Sequence, residues 1–229
     1  MEVQTGRPPG RVNVPVERHD IWNGADDDGS GSVSVMAIAK AMATGLRPRR
    51  STLFIWHAGE EEGLLGSQAH ADDPVVPLDR IEALFNIDMV GRNRDNDPDQ
   101  ADTVFIIGAD RISTDLHNAI VEANRAAPRP LTIDYHYNDP GDSESFYTRS
   151  DHYSYASRGI PAAFFFTGTH PDYHANTDTV DKILFPKLVR IAQLVYEAGF
   201  DVADNPVALR RDNLGPRAGN GFQGTLPVR

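Results

Sequence analysis

Short apolar runs alternate along the chain with stretches of helical periodicity. "STLFIWHA" (51–58), "RIEALFNIDMVG" (80–91), "DTVFIIG" (102–108) and "IPAAFFFTG" (160–168) each contain the continuous apolar core of a strand buried on both faces. Between them, "SVSVMAIAKAMATG" (32–45) predicts a helix with Val33, Met36, Ala39 and Ala43, then Leu46, on its core face. Gly45 and Pro48 supply its stop. "GLLGSQAHAD" (63–72) starts a second helix, and residues 113–125 suit a third. A longer amphipathic helix is expected over 180–203, with Ile183, Leu184, Leu188, Ile191, Leu194 and Val195 facing inward. Strands alternating with helices predict an α/β domain with a mostly parallel sheet flanked by helices.

The ends differ from this pattern. Residues 1–24 are polar and rich in Pro and Gly, and are expected to be irregular. The tail from Asp204 to Arg229 lacks periodicity and is expected to be disordered. The domain proper is therefore 25–203. No internal repeat is visible. No apolar stretch approaches the roughly 18 residues of a membrane span, and the first residues carry no secretory leader pattern.

Composition narrows the chemistry. Of 229 residues, 33 are acidic and 22 basic, for a net charge of −11. An acidic surface repels phosphate backbones, which argues against nucleic acid as a partner. The chain has no cysteine, so disulfides, thiolate metal sites and cysteine nucleophiles are excluded. No Gly-x-Ser-x-Gly elbow and no His-Glu-x-x-His helix motif occurs. "DDDGSG" places Asp26, Asp28, Ser30 and Gly31 as in a calcium loop, but Ala37 stands where the bidentate glutamate is required.

The remaining polar clusters follow the strands. Glu60, Glu61 and Glu62 come after the first run, Asp88 ends the second, and "GTHPDYH" follows "AAFFF". Each alone has an ordinary reading, such as carboxylates at a helix start or a capping aspartate. In an α/β sheet they would meet beyond the strand ends. Two unit charges ~4 Å apart repel by about 4 kcal/mol at an effective dielectric of 20. With no Lys or Arg inside these motifs, a divalent cation is the economical counter-charge, and an added histidine favours zinc over calcium or magnesium.

Five segments in order, "NGADDDGSG", "GEEEGLLGSQ", "NIDMVGR", "RSDHYSYASRGIPAAFFFTG" and "DYHANTDT", closely resemble the di-zinc aminopeptidase family. That family also holds glutamate carboxypeptidase II and the single-zinc glutaminyl cyclases. The resemblance runs from about residue 20 to 200 and implies the mixed-sheet zinc-exopeptidase fold. It implies that Asp27 bridges two metals, Glu61 and His174 bind the first, and Asp88 binds the second. Glu60 corresponds to the general base, which would take a proton from the attacking water and pass it to the leaving amine. Glu62 falls at a variable position. Tyr173 stands where some relatives place a tyrosine that can hydrogen-bond the developing oxyanion. His152 is not a family ligand and reads as structural or pocket-lining; Asp178 reads as support for the His174 loop.

One family feature has no counterpart. The His-x-Asp motif upstream of the bridging aspartate, which supplies the second metal's nitrogen ligand, is not found. His19 and Asp20 do not replace it. The chain is expected to begin just past that motif and to lack the first strands of the sheet, exposing an edge and apolar surface. It is then expected to hold one zinc far more tightly than a second. The substrate implied is a peptide with a free N-terminus, and the family's habit of export implies a secreted or periplasmic product. Two alternatives stay open: a glutaminyl cyclase-like transferase with one zinc, and a non-catalytic interaction domain of the kind found in the transferrin receptor.

Overall fold

A computed structural model describes residues 21–212. In chain order the elements are α1 (Gly29–Thr44), α2 (Leu65–Asp72), β1 (Leu84–Ile87), β2 (Thr103–Ile107), α3 (Thr114–Ala126), β3 (Thr132–Asp134), α4 (His152–Ala156), β4 (Ala162–Phe166) and α5 (Phe185–Asp204). The sheet order is β1-β4-β2-β3. β1 runs parallel to β4 and β2 parallel to β3, while β2 and β4 are antiparallel. The sheet is thus mixed, with two parallel pairings and one antiparallel.

β2 and β4 are buried at every position, as their unbroken apolar runs require. Alternation then divides the core in two. Val104, Ile106, Ala163 and Phe165 face the α1, α3 and α5 side, where they meet Leu116, Ile120, Ile191 and Leu194. Phe105, Ile107, Phe164 and Phe166 face the other way, into an aromatic layer with Tyr137, Phe146 and Tyr147. Full burial of one such aliphatic or aromatic side chain contributes roughly 1.5–3 kcal/mol. Because β1 and β4 are parallel, Asp88 and the segment after Phe166 leave the sheet at the same end. That end carries the polar cluster.

Helix α1 differs from the expectation drawn from its apolar spacing. Val33, Met36 and Leu46 are exposed, and the buried face is Ser30, Gly31, Ser34, Ile38 and Met42. The reason is close approach. A Cβ on Gly31 would lie 2.1 Å from the Ile87 carbonyl oxygen, so the helix start rests directly on the end of β1. Only small residues fit there, and hydrophobicity does not mark them. Asp28 caps the helix, accepting from Gly31 N at 3.0 Å, so it begins at Gly29 rather than at Ser32. Gly31→Ala is expected to destabilise the chain by about 2–3 kcal/mol in urea melts, because the new methyl meets backbone rather than a yielding side chain.

The run "TLFIW" forms no strand. Among the described residues it has no ladder partner, and Leu53 and Trp56 are half exposed. Trp56 Nε1 instead donates to Ser32 O at 3.2 Å. A continuous apolar run marks a place to be covered, and it becomes a strand only where a neighbour satisfies its backbone. Conversely, the three-residue edge strand β3 is too short to show a period. Helix α5 starts at Phe185 rather than 180, with Pro186 in its first turn, and Ile183 and Leu184 precede it. Past α5, residues 205–212 lie against the domain: Arg210 Nη2 is 2.6 Å from Asp115 Oδ1, and Leu209 N donates to Glu82. The rest of the tail, and residues 1–20 with His19 and Asp20, lie outside the described residues. No helix among the described residues is long and apolar enough to cross a membrane.

Candidate metal centre

The three aspartates before α1 have separate tasks. Asp26 is buried, accepting from Gly91 N at 2.6 Å through Oδ1 and lying 3.2 Å from His170 Nε2 through Oδ2. Asp28 caps α1 and also accepts from Met89 N at 3.2 Å. Asp27, held between them, reaches His174, with Oδ2 3.2 Å from Nε2. Asp178 fixes this loop. Its Oδ2 accepts from the backbone N–H of both Asp26 (2.9 Å) and Asp27 (3.1 Å). It therefore orients Asp27 directly, where the sequence suggested only support for the His174 loop.

The glutamate run is sorted by a turn. Gly59 adopts φ +68, a left-handed conformation that favours glycine. Gly63 N and Leu64 N both bond back to Glu60 O, at 2.9 and 2.8 Å. Within this turn Glu61 Oε2 lies 3.1 Å from His174 Nε2. Glu60 lines the cleft beside Asp27, Asp28 and Asp88, and Glu62 is exposed. His174 itself has φ 52, unusual for a non-glycine residue and of the kind that clusters at functional sites. Its loop is pinned by Asp172, which pairs with Arg92 at 3.0 Å and Lys182 at 2.6 Å.

Asp88 leaves β1 and accepts from Ser150 Oγ at 2.6 Å, and Ser150 in turn accepts from Asn86 Nδ2 at 2.9 Å. Tyr173 stacks on His174 with ring centroids 3.8 Å apart, and its hydroxyl accepts from Arg149 Nη2 at 3.2 Å. Asp27, Glu60, Glu61, Asp88 and Ser150 line a cleft of about 360 Å³ between α1, β1 and the 55–61 segment.

Electrostatics mark the cluster as short of positive charge. Burial, then the charges of Asp88 and Glu61, push Glu60 up to about 9. Burial, then Asp27, pushes Asp88 up to about 8. Burial also raises Asp27 to about 6, against the pull of His174. His174 shows the converse. Burial would lower it, but hydrogen bonds and charge from Asp27 and Glu61 carry it up to about 9. Among the described residues, an imidazolium is thus a counter-charge in direct contact with Asp27 and Glu61.

Asp27, Glu61 and His174 each offer a ligand atom, all within 4.8 Å of one another. Asp27 Oδ2 is buried and faces His174 Nε2 at 3.2 Å. Two carboxylates and an imidazole form a donor set suited to zinc, so the residues fit the ion. Asp88 and Glu60 lie beside this set and outside it. His152 is fully buried, stacked on Phe164 at 4.8 Å, and burial drives it down to about 3. It is a core residue of the aromatic layer.

Two groups went unread in the sequence. The buried Asp26–His170 pair joins residues 144 apart. A chain of hydrogen bonds runs from His70 Nδ1 to Tyr155 OH (2.7 Å) and on to His57 Nε2 (3.1 Å), and His57 lines the cleft. The only signal was His57 itself, placed at the end of an apolar run.

Residues 10–199 match the profile of peptidase family M28. Over 191 residues the chain is 30% identical to a probable leucine aminopeptidase of Arthroderma otae, a match covering 79% of this chain and 48% of that protein. The aminopeptidase from Aneurinibacillus sp. strain AM-1 superposes with TM-score 0.63 at 28% identity, covering 86% of this chain and 44% of the other. A zinc aminopeptidase from Bacillus subtilis shares the fold, with TM-score 0.64 at 23% identity over 89% of this chain and 46% of the other. The chain spans about half the length of the relatives it matches.

Proposed function

The chain belongs to peptidase family M28, and from that premise we propose that it carries the chemistry of a zinc-dependent aminopeptidase that hydrolyses N-terminal peptide bonds. The observation that carries the reading is the meeting of Asp27, Glu61 and His174 within 4.8 Å, with Glu60 adjacent and uncommitted. Asp27, Glu61 and His174 would hold the ion. When bound, it supplies Lewis-acid polarisation of the scissile carbonyl and acidifies water, whose pKa can fall from about 15.7 to about 7.

The chain's own groups do the rest. Glu60 takes the proton of the attacking water on one carboxylate oxygen and returns it to the departing amine. Tyr173, whose ring lies against that of His174, would donate to the oxygen that gains charge. The acidic cleft attracts the substrate's α-ammonium group, with Asp88 held ready by Ser150. Asp88 forms the weaker part of any second metal site.

The test is product analysis. The chelator-treated chain, resupplied with zinc, is expected to release free leucine from leucyl peptides and to release none with chelator present. Conversion of an N-terminal glutamine to a peptide-bound pyroglutamyl group with loss of ammonia, and no cleavage of a peptide bond, would replace the reading with a cyclase. Zinc binding with neither product would make the chain an interaction domain.

A further inference from the structure

Arg149 is a cation beside the acidic cluster, one residue before the cleft-lining Ser150 and hydrogen-bonded to Tyr173, the neighbour of His174. It belongs to the segment 146–151 that also supplies Ser150, bonded to Asp88, and Asp151, which lines the cleft. Its guanidinium is held on three sides. Cζ lies 4.3 Å from the centroid of the buried Phe146 ring, Nη1 donates to Glu144 O at 3.5 Å, and Nη2 donates to Tyr173 OH at 3.2 Å. Tyr173 in turn stacks on His174. The side chain is exposed, and among the described residues no carboxylate lies within 4.0 Å of it. Its charge nonetheless acts on Glu61 and Tyr173. A stacked, oriented guanidinium with no carboxylate in direct contact is a geometry suited to binding one, since each Nη keeps a further N–H beyond its single bond to Glu144 O or Tyr173 OH.

The substrate's own charges identify that carboxylate. The cleft floor of Asp27, Asp28, Glu60, Glu61 and Asp88 attracts an α-ammonium and repels an acid. A substrate acid near the scissile bond is tolerated only where a cation answers it. An extended dipeptide spans at most about 7 Å, so its C-terminal carboxylate falls close to the site itself. An acidic side chain on the second residue falls in the same region. Resting on the aminopeptidase reading, we propose that Arg149 is a specificity residue that binds a substrate carboxylate carried by the residue just after the scissile bond, so that dipeptides, or peptides acidic at that residue, are selected.

The zinc-loaded full chain is titrated by calorimetry with three uncleavable analogues. Each has a leucyl residue joined through a reduced CH2–NH link: to glycine as free acid, to glycine amide, and to aspartate amide. The free acid is expected to bind about tenfold more tightly than glycine amide, the size of one charge-assisted contact. Arg149→Met is expected to bring the acid down to the amide. Tighter binding of the aspartate amide than of glycine amide assigns the selected carboxylate to a side chain as well as a C-terminus. Equal binding of acid and glycine amide by the unmodified chain overturns the proposal and leaves the aminopeptidase reading intact, as does a preference that survives in Arg149→Met. Binding of none of the three overturns both.

Discussion

Replacing Glu60 with glutamine is expected to lower kcat on a peptide substrate by about 10²–10⁴ while zinc affinity stays within about threefold. Glu60 borders the ligand set without joining it, so its loss should remove proton transfer and spare the ion. Glutamine keeps the shape and removes the base. Without a cation Glu60 is pushed up to about 9, by burial first and by Asp88 and Glu61 next. At neutral pH it is then largely protonated, and glutamine imitates that neutral form. The metal-free variant should therefore fold as well as the parent, which separates a chemical effect from a structural one. A dication beside Glu60 offsets the repulsion that keeps it protonated and returns it to the ionised form that a base requires. Steady-state rates and zinc content on the same preparations decide the matter. An unaltered rate would remove Glu60 from the mechanism, whatever the geometry.

How far the residues could be read in advance depended on how far apart the partners lie. β2 and β4 were legible because a strand buried on both faces writes itself as an unbroken apolar run, whereas the edge strand β1 is only half-buried at three of its four positions although its stretch was read the same way. The same rule misled at "TLFIW", since ladder partners are a property of neighbours rather than of the run. Apolar spacing also chose the wrong face of α1. The contact with Ile87 O selects for small size at Ser30, Gly31 and Ser34, and size leaves no hydrophobic signal.

The site shows the same division. Spacing alone could gather acids at one end of the sheet and suggest a cation, but it could not separate Glu60 from Glu61. That distinction came from resemblance, and its physical origin is the turn at Gly59. Nor could spacing sort Asp26, Asp27 and Asp28. Their partners are Gly91 and His170, then Asp178 and His174, then Gly31 and Met89, mostly far along the chain. Long-range pairs of this kind are fixed by packing, and a single sequence holds no record of them.

Stability of the metal-free chain is expected to fall as pH rises from about 5.5 to about 8.5, by on the order of 2 kcal/mol, and zinc to cancel or reverse the trend. In the folded chain Glu60 sits up at about 9, Asp88 at about 8 and Asp27 at about 6, chiefly through burial. Unfolded carboxyls titrate near 4. His174 sits up at about 9, where its carboxylate partners outweigh burial, against about 6.5 when unfolded. All four shifts have one sign. Through these four groups the folded state binds more protons than the unfolded state across this window. Together they outweigh His152, which burial drives down to about 3 and which acts in the opposite sense, so a rise in pH costs stability. For the carboxyls the penalty builds from the unfolded pKa up to the folded one. For His174 a favourable contribution, complete below about 6.5, is lost as pH passes about 9. The cleft opens to water, so the total stays well below the sum of the separate shifts. Zinc acts in the opposite sense. It competes with the protons for Asp27, Glu61 and His174, so its affinity rises with pH and its uptake releases protons. At one hundred times its dissociation constant it adds about 2.7 kcal/mol. Urea melts at several pH values, with chelator and with zinc, would show the two slopes. One equivalent of zinc should complete the effect. Two equal, tight equivalents would mean that Asp88 anchors a second site as strong as the first, and a metal-free stability that rises with pH would mean that the carboxylates have found another counter-charge.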